Sequence, residues 1–495
     1  VLRSLDAFTQ DLSRLRDAVE SRDANTLLGV FTRAKSAREH FSTILARRAY
    51  MEPMQTKSIN FVASPGGKVQ GQIRVPGDKS ISHRSIMFGS LADGKTEIKG
   101  FLEGEDALAT LAAFRAMGVN IEGPDNGHVI VHGVGMNGLK APKESLYLGN
   151  SGTSMRLLAG LLAGQNFSVT LTGDSSLSSR PMGRVADPLR LMGADIETAE
   201  QGRPPIKLNG GALLKGIDYD LPMASAQVKS CVLLAGMYAE GETSTTEPAP
   251  TRDHTERMLA GMGYSLSRDG ACTRLTGGGQ LKATTIDIPA DISSAAFFIV
   301  AASIVPDSDL TLRHVGLNPT RTGVIQILEL MGANISLSNE HLVSGEPVAD
   351  IRIQYAPLVG IDIPEWLVPL AIDEFPVLFI AAACAAGTTV LTGAEELRVK
   401  ESDRIQAMVD GLVILGIEAK STNDGAIIKG GCLGAGHEQV DVQSHDDHRI
   451  AMAFAVASLR SSSKIVIHEC DNVATSFPNF ASLARSVGFQ LIEET

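Results

Sequence analysis

Cysteine is scarce in this 495-residue chain: five, at Cys231, Cys272, Cys384, Cys432 and Cys470, none in a C-x-x-C pair. An odd, scattered set fits reduced thiols serving as core fillers, so a cytoplasmic location is expected. Positive charge is also short. A net charge of −12 argues against nucleic acid or an anionic membrane as the main partner. No apolar run is long and unbroken enough to span a bilayer, and the N-terminal stretch lacks a signal-peptide core. The nucleotide-binding pattern G-x-x-x-x-G-K-[ST] is missing, because PGDKS at 76–80 breaks it. GVGMNG (133–138) matches G-x-G-x-x-G, but the following LKAPKES does not open a helix, so a loop is expected there. His445 and His448 stand without further His/Cys clustering, so they read as helix-capping surroundings rather than a metal site. LGNSGTSMR (148–156) is not a G-x-S-x-G elbow, which weakens a hydrolase reading.

Glycine, by contrast, is plentiful at 49 residues, and six of them mark a repeat. Gly118, Gly193, Gly263, Gly332, Gly416 and Gly488 each close a helical pattern and precede a β-prone stretch. They stand 75, 70, 69, 84 and 72 residues apart. Each is expected at a helix C′ position, where left-handed geometry favours glycine. A period this long, with two helices per unit, describes an α/β module present six times. The second helix of each module is apolar nearly all round and should be interior. Polar residues gather at the starts of these helices: Lys79/Ser80/Arg84, Asn150/Thr153/Arg156, Ser225/Gln227, Asp291, Asp373 and His448/Arg449. Helix starts expose backbone N–H groups and partial positive charge. Three modules per domain would bring such ends to a shared, anion-attracting cleft.

Residues 1–54 differ in character. The first fifty carry nine basic and six acidic side chains, whereas the remaining chain is strongly acidic. Leu2, Leu5, Phe8, Leu12, Leu15 and Val19 repeat at helical spacing, and Leu27, Leu28, Phe31, Ala34, Phe41, Ile44 and Leu45 follow. A helical hairpin with an apolar stripe is expected, docked on something. The expected organisation is this appendage, then one α/β domain from 55–76 and 290–495, and a second from 77–289 with the cleft between them.

Asp373 in DEFP and Glu401 in LRVKESDR place two carboxylates among cations, an arrangement in which they can differ in protonation and act as acid and base. Arg180, Arg404 and Arg449 supply forked donors suited to carboxylates and phosphates.

PGDKSISHR, LGNSGTSMR, SRPM, SAQVKS, TRDHTERML, DEFPVL, LRVKESDR and DDHRIAM occur in this order. Together they resemble the successive motifs of the 5-enolpyruvylshikimate-3-phosphate synthase family, over roughly residues 57–495. The resemblance implies a two-domain inside-out α/β barrel with three βαβαββ units per domain. It also implies addition–elimination between shikimate 3-phosphate and phosphoenolpyruvate, with no metal, nucleotide or other cofactor. By motif, Lys79, Ser80, Arg84, Ser225, Ala226, Gln227, Arg252, Asp373 and Lys400 would contact shikimate 3-phosphate. Lys79, Asn150, Gly152, Arg180, Gln227, Arg404 and Arg449 would border phosphoenolpyruvate, and Asp373, Glu401 and Lys79 would handle protons. Thr475 stands where many members have Lys, and Ala226 where the better-known form has Ser, which resembles the divergent bacterial branch. Gly152 keeps the small residue beside phosphoenolpyruvate, so glyphosate sensitivity is expected. The 1–54 segment resembles the C-terminal tail of prephenate dehydrogenases, which in some bacteria precede this enzyme in one chain. Two rivals stand beside this: an enolpyruvyl transferase acting on a UDP-amino sugar, which uses a loop cysteine, and a non-catalytic anion-binding module.

Overall fold

The computed structural model describes residues 58–434 and 436–495; the hairpin expected over 1–54 lies outside them. Five four-stranded sheets and one three-stranded sheet are built to a common plan. In one, Lys95–Lys99 runs parallel to Thr285–Asp287 and antiparallel to His128–His132, which pairs antiparallel with Asn120–Asp125. In another, Lys464–His468 runs parallel to Gln439–Gln443 and antiparallel to Asn60–Ala63, which pairs antiparallel with Leu491–Glu494. One parallel and two antiparallel pairings per four-stranded sheet are what a repeated βαβ unit plus a hairpin produces; in the three-stranded sheet the parallel partner is reduced to isolated bridges, as between Asp362 and Val390.

All six repeat glycines take left-handed φ values, from 82° at Gly416 to 109° at Gly488. Each lies one residue past a helix C-cap, as with Met117 before Gly118 and Leu415 before Gly416. An L-residue is strained there, which explains the glycine in every copy.

The second helices are interior. Ile292–Ile304 is buried along its whole length. Lys79–Leu91, Gly152–Ala163, Ala226–Gly236 and His448–Ala457 are buried except at their N-terminal ends. The exceptions are Lys79, Ser80, Thr153, Arg156, Ala226, Gln227 and Arg449. In Phe375–Cys384 only Cys384, at the far end, escapes full burial. Ile292–Ile304, Phe375–Cys384 and His448–Ala457 pack pairwise. Gly152–Ala163 packs against both Lys79–Leu91 and Ala226–Gly236. Gly160 permits the second contact, since a Cβ there would lie 2.1 Å from the Cys231 carbonyl oxygen.

Buried apolar side chains fall into two separate cores, one drawn from 61–75 and 290–491 and the other from 81–288. Two strands of chain run between them and touch. Gly77 bridges Ala290, the Asp78 amide donates to the Pro289 carbonyl at 2.8 Å, and the Asp291 amide to Pro76 at 2.9 Å. Gly77 is obligatory here, since its Cβ would lie 1.8 Å from the Gly100 oxygen. GVGMNG forms a turn after the His128–His132 strand and opens no helix. Among the described residues, no helix is long and apolar enough to cross a membrane.

Candidate active site

The starts of the interior helices converge on one cavity of ≈ 1110 Å³, lined by residues from both cores. Nine guanidinium or ammonium side chains line it against six carboxylates. The cavity therefore attracts anions although the chain as a whole repels them.

The capping residues explain how the helices begin. Asp78 accepts from the Ile81 amide, Ser151 from Ser154, Ser225 from Val228, Asp291 from Ser293 and Asp447 from Arg449. A short side-chain acceptor satisfies one free N–H of each first turn, leaving neighbouring residues to face the cavity. Lys79 and Ser80 follow Asp78 directly, and both line the cavity. Lys79 is paired through its ammonium with Asp106, in the first turn of the Glu105–Ala116 helix.

On one side, Gly152 is the floor beneath two guanidiniums. A Cβ there would meet Arg156 Nη1 at 3.0 Å and Arg180 Nη1 at 3.4 Å. Arg156 donates to Gln227 Oε1 at 2.5 Å, and Gln227 donates to Thr153 at 3.0 Å. Burial first, then the charges of Arg184 and Arg180, push the Arg156 guanidinium down to about 10. Its Nε is buried without a partner. Arg180 is aimed by Asn150 Oδ1 at 2.5 Å, and Asn150 is in turn held by Asp174 at 2.9 Å.

On the other side, Arg404 is 2% exposed. It donates to Asp447 at 2.8 Å and Glu401 at 2.6 Å, and approaches Asp373 at 3.4 Å. Arg449 donates to the Asp373 carbonyl at 2.8 Å. Lys400 lies 3.5 Å from the Asp373 carboxylate and 2.9 Å from Glu396. Ion pairs at the cavity cross between cores, among them Arg180 with Glu401 at 3.4 Å, and Arg252 with Asp373.

In the unliganded site both Asp373 and Glu401 are held ionised. Burial opposes ionisation of Asp373, but Lys400, Arg252, Arg449 and Arg404 together hold it well below the usual carboxylate range. Burial likewise opposes ionisation of Glu401, and Arg404, Arg180 and Lys400 hold it well below. The two carboxylates share cations, so one field lowers both. His448, chiefly through burial, is pushed down to about 3 and stays neutral.

Of the expected residues, Lys79, Ser80, Arg180, Ser225, Ala226, Gln227, Arg252, Asp373, Lys400, Glu401, Arg404 and Arg449 line the cavity. Asn150, Gly152 and Arg84 do not. Asn150 and Gly152 act on the arginines that do. Arg84 is turned away: its guanidinium donates to Thr255 at 2.7 Å, Ser230 at 2.8 Å and the Ser80 carbonyl at 2.9 Å. Thr475 is also buried, with its hydroxyl on the Asn472 carbonyl. Residues the motifs did not single out include Arg156, Arg184, Arg321 and His448. Arg156 and His448 carried a sequence signal, their place at an interior helix start. Asp106 and Arg321 carried none. No group of three or more His, Cys, Asp or Glu side chains among the described residues is arranged to hold a metal ion.

Six sheets, two cores and interior helices starting at one cationic cavity define a two-domain inside-out α/β barrel. A solved structure of the enolpyruvyl transferase NikO from Streptomyces tendae has this fold, at 16% identity and TM-score 0.72 over 88% of this chain and 99% of that one. A sequence model for EPSP synthase (3-phosphoshikimate 1-carboxyvinyltransferase) matches residues 63–483, and the chain belongs to that family. A relative named 3-phosphoshikimate 1-carboxyvinyltransferase from Methylococcus capsulatus is 65% identical, covering 88% of this chain and 99% of its own. The Hydrogenovibrio crunogenus relative of the same name is 62% identical, again over 88% and 99%. A solved structure of EPSP synthase from Acinetobacter baumannii is 59% identical with TM-score 0.81, covering 88% of this chain and 100% of that one.

Proposed function

We propose that this chain transfers the enolpyruvyl group of phosphoenolpyruvate to the 5-hydroxyl of shikimate 3-phosphate, releasing phosphate, in the cytoplasm. The observation that carries the reading is the cavity itself: cations from both cores surround two ionised carboxylates. In the addition step the 5-oxygen bonds to C2 of phosphoenolpyruvate, its proton leaves, and C3 gains a proton. In the elimination step the C2–O bond to phosphate breaks, a C3 proton leaves, and the double bond returns. Asp373 and Glu401, ionised in the unliganded site, serve as bases, and each becomes an acid once it has taken a proton. Lys79, from the opposite core, assists proton transfer to C3. Ser80, Ser225, Ala226, Gln227, Arg252 and Lys400 hold shikimate 3-phosphate. Lys79, Arg180, Gln227, Arg404 and Arg449 hold phosphoenolpyruvate, with Asn150 and Gly152 setting Arg180. Arg84 contributes by fixing Ser80. Preorganised cations then stabilise the charge of the adduct and exclude water on closure.

The two cores, drawn from 61–75 with 290–491 and from 81–288, support reading 55–76 with 290–495 as one domain and 77–289 as the other. The 1–54 segment is read as the tail of a prephenate dehydrogenase fused ahead. Among the described residues no cysteine lines the cavity, Cys231 and Cys384 being within interior helices with thiols pushed up by burial, which disfavours the cysteine-dependent UDP-amino-sugar rival. Incubation with phosphoenolpyruvate and each acceptor, followed by phosphate release, tests the proposal. Release is expected only with shikimate 3-phosphate; release with the UDP-amino sugar alone, or with neither, overturns it.

A further inference from the structure

Arg321 sits in the Leu317–Thr322 loop, far in sequence from every motif above, yet its guanidinium reaches the N-cap residues of three interior helices. Nη1 pairs with Asp78, cap of Lys79–Leu91. Nη2 donates to Asp291, cap of Ile292–Ile304, at 2.9 Å and to Ser293 at 2.5 Å. Ser293 in turn donates a hydrogen bond from its hydroxyl to Glu374, cap residue of Phe375–Cys384, whose Oε1 is 4.0 Å from Nη2. The cluster lies at the cavity wall and is largely shielded from solvent: Arg321 is 4% exposed, and Asp78, Asp291, Ser293 and Glu374 are all buried. Asp291 adds a second tie through the other carboxylate oxygen, which accepts the Lys79 amide at 3.1 Å. The loop is itself anchored, since the Arg321 amide donates to Asn318, and Asn318 donates to Asp253 at 2.7 Å and Glu346 at 2.9 Å.

Three helix starts brought together place like partial charges and three carboxylates in one largely shielded space. A planar fork with a fixed charge satisfies two of the caps at once, in a way that an ammonium or an amide cannot. Asp78 precedes Lys79, and Glu374 follows Asp373. The chain crossing between cores at 76–79 and 289–291 is the same place. We infer that Arg321 is a positioning residue that fixes the register of Lys79, carried by one core, against Asp373, carried by the other. Its guanidinium nitrogens are engaged by Asp78, Asp291 and Ser293, and through them it holds the two proton-handling groups at their working separation. The inference rests on the enolpyruvyl-transfer reading.

Steady-state kinetics of phosphate release on the full chain, with thermal midpoints measured alongside, provide the test. Arg321→Gln is expected to lower kcat about 100-fold, as small displacements of reacting groups do, while KM for shikimate 3-phosphate stays within about threefold. Arg321→Lys should recover the thermal midpoint but little of kcat, because one ammonium cannot fork to Asp78 and Asp291 together. Should Arg321→Gln not fold, Ser293→Ala decides, since it removes the hydroxyl that links Arg321 to Glu374 and leaves the pairs with Asp78 and Asp291: kcat is expected to fall about tenfold, near 1.4 kcal/mol, with the midpoint little changed. A lowered midpoint with kcat within twofold of the parent, or full recovery of kcat by lysine, overturns the inference. An inactive parent chain sinks the functional reading as well, which separates the two failures.

Discussion

Gly152 has no side chain, and two guanidiniums occupy the space beside it. Replacing it with alanine puts a methyl 3.0 Å from Arg156 and 3.4 Å from Arg180, distances at which one of them must yield. Gly152→Ala is expected to raise KM for phosphoenolpyruvate about tenfold or more, a loss near 1.4 kcal/mol, and to leave KM for shikimate 3-phosphate nearly unchanged. The same displacement should weaken glyphosate inhibition; an inhibition constant unaltered by the substitution would count against Arg180 as part of the anion seat. A second expectation concerns two buried histidines. His83, bonded to Thr110 at 2.7 Å, is held well below its ordinary value by burial and by Lys79 and Arg84, and His448 is pushed down to about 3. Both are neutral when folded and titrate near 6.5 when unfolded, so the stability they contribute is complete above about pH 6.5 and is lost as the pH falls. Asp373 and Glu401 are also depressed, but their contribution is lost only through the lower values they hold when folded. Thermal midpoints should therefore drop between about pH 6.5 and 5, and less steeply in His83→Gln. Single residues also set the limit on what the chain's order of letters reveals. Lys79 and Glu401 lie in motifs, whereas Asp106 looks like any acid in a first helical turn. Its partner lies on another helix, and no spacing rule connects them.

Helices carry the plan of the molecule. The apolar pattern and the closing glycines made their number, their burial and the direction of their polar ends legible, because both features are local: a cap, a left-handed residue, a face. What was not legible is which ends meet. Arg321 touches caps 243 and 30 residues away, and its loop has neither helical period nor cap signature. Arg84 shows the converse: helical spacing put it beside Lys79 and Ser80, but at i+4 it turned back onto the Ser80 carbonyl and into the Ser230/Thr255 hydroxyls. Contact between helices also yields a prediction. With a Cβ at 160 lying 2.1 Å from the Cys231 oxygen, Gly160→Ala must separate two interior helices. A destabilisation of about 1–3 kcal/mol is expected from overpacking, read as a lowered denaturant midpoint with unaltered slope.

At the scale of the whole molecule, two cores share few covalent links but face each other across charge. Arg180–Glu401 and Arg252–Asp373 span them, using carboxylates where substrate anions would sit. If, as proposed, a substrate anion takes the place of a protein carboxylate as the partner of each arginine, both cores should be drawn onto the ligand. The chain's single tryptophan reports it. Trp366 lines the cavity yet is 63% exposed. Saturating shikimate 3-phosphate with a phosphoenolpyruvate analogue should shift its emission to the blue and reduce quenching by iodide. Emission that ignores both ligands would argue that the cores do not approach.

The sheet holding Asn60–Ala63 has a consequence for how the polypeptide is made. That strand lies between Lys464–His468 and Leu491–Glu494, so its neighbours leave the ribosome some four hundred residues after it does. The 81–288 core can consolidate during synthesis, while the other waits for the final strand to be threaded home. Until then the early strand's edges stand unpaired, and a nascent chain stalled before residue 464 should be the form that chaperones bind and proteases cut.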